Sequence, residues 1–335
     1  MSEIRNFGTT AAGEAVQAIT LRAGELTARI LTYGATLQDL RLAGTPWPLV
    51  LGSDGLAAYE GPLIWCGAVV GPVANRLAGA AAKIDGKLWQ APPNDGPNLL
   101  HSGPEGTSNR LWAIETAAET AAADAVTLRL DLAHGAAHLP GNRVLRAHYR
   151  LHAPATLEIT LEAVTDAPTL MNLAHHPYWN LDGTATTAGH RLSVAASRYL
   201  PLGAHGLPLP PAPVAQSGLD LRTPRALEAL PPLDHNFCPE GEGLREVARL
   251  AGARGVCLQL ETDAPGLQVY DGRALASAPF PGLMGQPYGP HAGVALEPQL
   301  WPNAPAHRDF PSIALAPGAL WRQRSLVHLT RAAAA

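Results

Sequence analysis

The chain has 335 residues, 47% hydrophobic and 16% charged, a globular composition long enough to bury a large core. A formal net charge of −4 gives no electrostatic footprint for nucleic acid or an anionic membrane, and apolar runs such as Leu63-Ile-Trp-Cys-Gly-Ala-Val-Val70 are far too short to span a bilayer. The opening Met1-Ser-Glu-Ile-Arg-Asn carries no signal-peptide pattern, and three cysteines (Cys66, Cys238, Cys257) without Cys-x-x-Cys spacing fit free thiols in a reducing cytoplasm.

Residues 16–42 read as two or three strands: Val16 to Arg22, a turn at Ala23-Gly24, then Leu26 to Leu42 broken at Tyr33-Gly34-Ala35. One helical turn is expected between Gly52 and Gly61. Residues 67–79 form a Gly/Pro-punctuated loop whose single charge is Arg76, a guanidinium able to fork onto hydroxyls or a carboxylate, or to pair with the backbone. Lys83 to Trp89 reads as a hairpin turning at Asp85-Gly86. Pro92 to Gly106 is a second loop, with His101 ringed by small residues; loops concentrate binding groups, although exposed histidines without a role are common. Val126–Leu132, Val144–Leu151 and Thr156–Ala163 alternate apolar and polar residues, the mark of an antiparallel meander with one buried face.

Met171 to Leu181 follows, Met-Asn-Leu-Ala-His-His-Pro-Tyr-Trp-Asn-Leu, an apolar entry with a polar, aromatic middle. His176 precedes Pro177 and is therefore held extended. Period-two alternation puts Asn172, Ala174 and His176 on one face, with Leu173 and His175 on the other. Either a site or a satisfied core histidine fits these residues alone. Residues 200–233, rich in Pro and Leu without a regular period, read as a long surface excursion before Leu233-Asp-His-Asn-Phe237, where Asp234 is a candidate ligand group or a turn-capping Asp. Strands are expected at Val256–Glu261 and Leu267–Tyr270. Glu297 precedes Pro298 at the end of an apolar strand and alternates with the small Ala295. Ile313–Ala316 and Trp321–Leu329 are the last strands, and Arg331-Ala-Ala-Ala-Ala335 is expected to fray. The chain shows no internal repeat, phosphate-binding Gly-rich loop, Gly-x-Ser-x-Gly elbow or zinc spacing. A strand-rich chain with turns throughout predicts an all-β protein, a large antiparallel β-sandwich in one domain over residues 1–335.

Five segments in the same order resemble the aldose 1-epimerase (galactose mutarotase) family. Gly71-Pro-Val-Ala-Asn-Arg76 is similar to its Gly-Arg-x-Ala-Asn-Arg, Asn98-Leu-Leu-His-Ser-Gly103 to Asn-x-Leu-His-Gly-Gly, and Asn172 to Leu181 to Asn-Leu-Thr-Asn-His-Ser-Tyr-Phe-Asn-Leu. Asp234-His-Asn-Phe237 matches intact, and Leu296-Glu-Pro-Gln299 is similar to Leu-Glu-Thr-Gln. The resemblance implies a cofactor-free enzyme that interconverts the anomers of a free monosaccharide and works as a monomer or homodimer. It implies Glu297 as general base and His176 as general acid. Arg76, His101, Asp234 and Gln299 would hold the sugar, with Asn75 supporting Arg76. Pro72, Ser102, His175 and Trp179 depart from the family pattern; Trp179 and Pro72 predict a sugar preference shifted or broadened relative to a galactose-selective enzyme.

The chemistry needs one base and one acid on opposite sides of a hemiacetal; a free Glu titrates near ~4.3 and a His near ~6.5. On these grounds Glu297 is expected to be kept ionised by Arg76 and His176 to be kept protonated by a carboxylate such as Asp234, with the acid limb of the pH–rate profile belonging to Glu297 and the alkaline limb to His176. The alternatives are a hexose-6-phosphate 1-epimerase, which would need further Arg or Lys groups such as Arg110 or Arg143 near the sugar, and a non-catalytic sugar-binding module. A metal enzyme built on His101, His175, His176 and Glu297 is disfavoured, because adjacent histidines on a strand point to opposite faces.

Overall fold

A computed structural model describes residues 3–119 and 123–331; the alanine tail beyond Arg331 lies outside them. Among the described residues, antiparallel pairing builds one nine-stranded, one six-stranded and one four-stranded sheet, with four shorter two-stranded pairings. The expected meander forms as Ala123–Leu132, Arg143–His152 and Thr156–Thr165, paired in sequence. Its alternation decides its placement. Leu128, Leu145, Ala147, Tyr149, Leu157 and Leu161 enter the core. The alternate residues face solvent, where Arg146 pairs with Glu115 and Arg324 with Glu158. Such exposed pairs contribute little to stability individually. Strand Trp321–Arg331 inserts between Thr156–Thr165 and Val256–Thr262 and closes the middle of the nine-stranded sheet.

Opposite this sheet lie the four strands Glu3–Thr9, Ala15–Ala23, Leu26–Leu31 and Thr36–Leu42, and the six-stranded sheet that contains Asp234–Cys238, Gly266–Tyr270 and Val294–Gln299. One apolar cluster joins all three, with Ile19, Leu21 and Ile30 from the first, Leu128, Leu157 and Leu258 from the second, and Phe237, Leu267 and Leu296 from the third. The expected β-sandwich is thus the observed architecture. The helical turn is Leu56–Tyr59, and the hairpin at Asp85-Gly86 joins Ala81–Ile84 to Lys87–Gln90. No helix among the described residues is long and apolar enough to cross a membrane.

Two elements differ from the sequence reading. Glu3–Thr9 is an edge strand with a register shift between Asn6 and Gly8; its exposed, irregular pattern hides the period that would announce it. Residues 200–233 are more than a surface excursion, because Val214, Leu219, Leu221 and Leu233 are anchored in the core. Proline erases the periodicity there, but the leucines still bury.

Candidate active site

The floor of the site follows from strand alternation. In Gly266–Tyr270 and Val294–Gln299, residues Leu267, Val269, Val294 and Leu296 point into the core. Their neighbours Gln268, Tyr270, Ala295 and Glu297 therefore point the other way. Register sets Asn236, Gln268 and Glu297 in one cross-strand row, and Asp234, Tyr270, Ala295 and Tyr178 in the next. Above them opens a cleft of about 640 Å³ lined by Asp234, Gln268, Tyr270 and Glu297. Glu297 lines the cleft although it is only 2% exposed, and its Oε2 has no hydrogen-bond partner among the described residues.

His176 comes to this floor where the chain changes partners. Ala174–His175 pairs with Val69–Val70, and Tyr178–Trp179 pairs with the edge of Val294–Gln299. Between them, His176 N–H donates to Ala68 O and its carbonyl accepts from Gly67 N–H, both at 2.9 Å. The His176 Nε2 lies 3.4 Å from Glu297 Oε1, with the two residues only 3% and 2% exposed. His175 points to the opposite face, against the Tyr149 ring at 5.6 Å and a small interior cavity shared with Trp179. Asn172 secures the end of the Glu297 strand. Its Nδ2 donates to Leu300 O at 3.1 Å and its Oδ1 accepts from Leu300 N–H at 2.9 Å. An Asn172→Leu variant leaves both backbone groups unpaired and is expected to lose about 2–4 kcal/mol of stability. Denaturant unfolding checks this, and wild-type stability would show that Asn172 does not anchor the strand.

The two Gly/Pro loops deliver Arg76 and His101 together. Arg76–Leu77 pairs with Leu99–Leu100, and His101 N–H donates to Asn75 O at 3.1 Å. Asn75 adopts a left-handed φ of 59°, which Asn tolerates better than most residues. Its side chain accepts from Arg76 N–H at 2.8 Å, and its own N–H donates to His101 Nδ1 at 3.1 Å. Arg76 Nε donates to Asp95 Oδ2 at 2.6 Å and its Nη1 reaches Asp234 Oδ2 at 3.5 Å. Gln268 Nε2 donates to Asp234 Oδ1 at 2.7 Å. Gly206, at φ +69°, packs against the guanidinium so closely that a Cβ there would lie 3.0 Å from its Cζ.

Burial dominates the electrostatics. It pushes the Glu297 carboxyl well above its ordinary range, helped by Asp234 and only partly opposed by Arg76. It pushes His176 down to about 4, and holds His101 well below its usual value with His176 and Arg76 adding to the effect. Arg76 does not keep Glu297 at its free value, and Asp234 does not raise His176; desolvation outweighs both influences expected from the sequence.

His101, His176 and Glu297 present nitrogen and oxygen atoms within 4.8 Å of one another. The Asn75 N–H bond to His101 Nδ1 places that ring's proton on Nε2. His101 Nε2 is then a donor for an oxygen-bearing ligand rather than a lone pair for a metal.

Asn75, Arg76, His101, His176, Asp234 and Glu297 all line the cleft. Gln299 does not: it is 0% exposed, and both of its amide atoms are buried without a protein partner. The resemblance implies that Gln299 holds the sugar, but the cleft closes before its position. Pro72, Ser102, His175 and Trp179 are likewise buried away from the cleft wall. Ser102 Oγ, for example, accepts from Val73 N–H and donates to Val73 O. Trp65, Gln268, Tyr270 and Arg273 also line the cleft, and the sequence patterns did not single them out. A signal existed for one pair: Gln268 and Tyr270 are the polar alternates of an otherwise apolar strand.

The sequence-family model described as aldose 1-epimerase matches residues 17–328. A galactose mutarotase from Rattus norvegicus is 33% identical over 91% of this chain and 92% of its own length, and an aldose 1-epimerase from Escherichia coli K12 is 30% identical over 89% and 90%. Among solved structures, an aldose epimerase homologue from C. elegans superposes with a TM-score of 0.88 at 28% identity, covering 95% of this chain and all of the other. A galactose 1-epimerase from Lactobacillus acidophilus superposes with a TM-score of 0.86 at 27% identity over 99% of both chains. With the fold, the cleft and these relatives in agreement, the chain belongs to the aldose 1-epimerase family.

Proposed function

We propose that this cleft interconverts the α and β anomers of a free aldose, with Glu297 and His176 moving the protons. The observation that carries the reading is the 3.4 Å approach of His176 Nε2 to Glu297 Oε1 in a cleft whose other polar groups suit sugar hydroxyls. Glu297 takes the proton of the anomeric hydroxyl while His176 gives one to the ring oxygen, so the C1–O5 bond breaks to an open-chain aldehyde. Rotation about C1–C2 presents the other carbonyl face. The reverse transfers then close the ring. Arg76, Asp234 and the His101 Nε2–H hold hydroxyls through the rotation, and Asn75 fixes both Arg76 and His101. No step requires a metal or nucleotide.

The shifted titrations set where the pair's proton rests. Ring opening moves a proton from His176, through the sugar, to Glu297. Burial that lowers His176 and raises Glu297 favours that direction. The same ordering rests the pair's one proton on Glu297, so ring opening starts from the less populated arrangement with that proton on His176, and the downhill transfer returns what populating it costs. The working state is a pair that holds one proton in total, and the two macroscopic titrations belong to the pair. The single apolar cluster joining all three sheets supports treating residues 1–335 as one domain. The free thiols, two of them buried, suit a cytoplasmic setting.

Polarimetry on freshly dissolved α-galactose and α-glucose tests the reading. Protein-dependent acceleration of mutarotation, unchanged by a chelator, is expected; no acceleration with any free aldose would overturn it. A phosphosugar reading gains little from the cleft. Arg143 spends its guanidinium on the carbonyls of Gly141, Ala133 and Ala136, and Arg110 pairs with Glu105. Arg273 does line the cleft, but its Nε is held by Asp271 at 3.0 Å.

A further inference from the structure

The four departures from the family pattern do not reach the cleft, so sugar preference has to be set by other wall residues. Five rings form an arc around the site. Trp65 lies 5.0 Å from His101, His101 5.3 Å from His176, His176 5.0 Å from Tyr178, and Tyr178 6.2 Å from Tyr270, centroid to centroid. The three inner rings are buried, while Trp65 and Tyr270 at the ends are half-buried. Trp65 packs against the small cluster of Val70, Ala74 and Ala174 and also lines the cleft. The buried Leu63 and Cys66 fix its turn. The indole N–H groups of Trp47, Trp112 and Trp301 donate to Leu181 O, Thr107 O and Pro265 O. Trp65 Nε1–H has no such acceptor among the described residues, although the ring is held in place.

A pyranose presents hydroxyls at its rim and C–H groups on its faces. Arg76, His101, Asp234 and Gln268 answer the rim; an indole answers a C–H face. We infer that Trp65 is the specificity-determining platform of this cleft, stacking on the C–H face of the sugar and favouring galacto- over gluco-configured aldoses. The preference follows from stereochemistry. The axial O4 of galactose leaves C3–H, C4–H and C5–H together on one face, whereas in glucose the C4–H turns to the other side. This inference rests on the mutarotase reading.

Trp65→Leu keeps apolar bulk against Val70, Ala74 and Ala174 but removes the aromatic face; Trp65→Phe keeps an aromatic face. Steady-state kinetics on galactose and glucose are read alongside equilibrium binding of each sugar by calorimetry, which needs no turnover. Trp65→Leu is expected to raise the galactose KM roughly 5–20-fold with kcat changed far less, and to lower the galactose-to-glucose ratio of kcat/KM by about fivefold. Trp65→Phe should keep that ratio within about twofold. An unchanged ratio in Trp65→Leu, or equal losses on both sugars, overturns the platform. If the wild type binds galactose without turning it over, the mutarotase reading fails, and the binding ratio alone decides the role of Trp65.

Discussion

Glu297→Gln is expected to lower kcat by about two to four orders of magnitude, the usual span for a positioned proton transfer. The amide keeps the shape of the carboxyl but cannot accept the anomeric proton. His176→Asn removes the other half of the pair and is expected to cost a similar amount. Sugar affinity should fall much less in both, because Arg76, His101 and Asp234 stay in the wall. The double variant should lose less than the product of the two single losses, since groups that act as one unit are non-additive. Retention of more than a tenth of kcat by Glu297→Gln would remove it from the role of base.

Arg76→Ala is expected to fold and to lose about 10²–10³-fold in kcat/KM, the cost of removing a charged donor from a mostly enclosed wall. Part of that loss arises because Asp95 and Asp234 both lose their cation. A second consequence follows from the field of Arg76 at Glu297. The guanidinium opposes the rise in the Glu297 titration, so its removal should move the alkaline limb of the rate profile upward. His101→Ala should cost about 10–100-fold through loss of a neutral Nε2–H donor, with a small stability penalty from the freed Asn75 N–H. Near-wild-type kinetics in both variants would move the sugar site elsewhere.

The site is legible in the sequence where local rules act strongly. Pro177 and Pro298 hold His176 and Glu297 extended, and alternation then fixes their faces, so it also assigns His175 to the far side. Arg76 stands out as the single charge of the loop at residues 67–79, and His101 as the one histidine of the loop Pro92 to Gly106. Cross-strand register is not legible. It brings Gln268 beside Glu297 and Tyr270 beside Asp234, and no local pattern announces a neighbour about 30 residues away. Depth is equally hidden. Gln299 shares the face of Glu297, yet it lies past the end of the cleft. Desolvation depends on depth, so the titration order of Glu297 and His176 is the inverse of the one their free values suggest. The meander within the nine-stranded sheet is plain because its strands pair in sequence. The edge strand Glu3–Thr9 and the anchored excursion at 200–233 are not, because bulges and prolines break the period on which such a reading depends.

The inverted titrations give the most direct test. Anomer exchange followed by NMR on free galactose, from low to high pH, measures the protonation state in which the pair works. The pair needs one proton. A second proton adds to His176 as pH falls through about 4, and the only proton leaves Glu297 as pH rises through its elevated titration. The expected profile is a bell with its acid limb near pH 4 from His176 and its alkaline limb from Glu297, and no alkaline limb in whatever exchange Glu297→Gln retains. An alkaline limb that persists unchanged in Glu297→Gln would contradict the assignment of this pair to the chemistry.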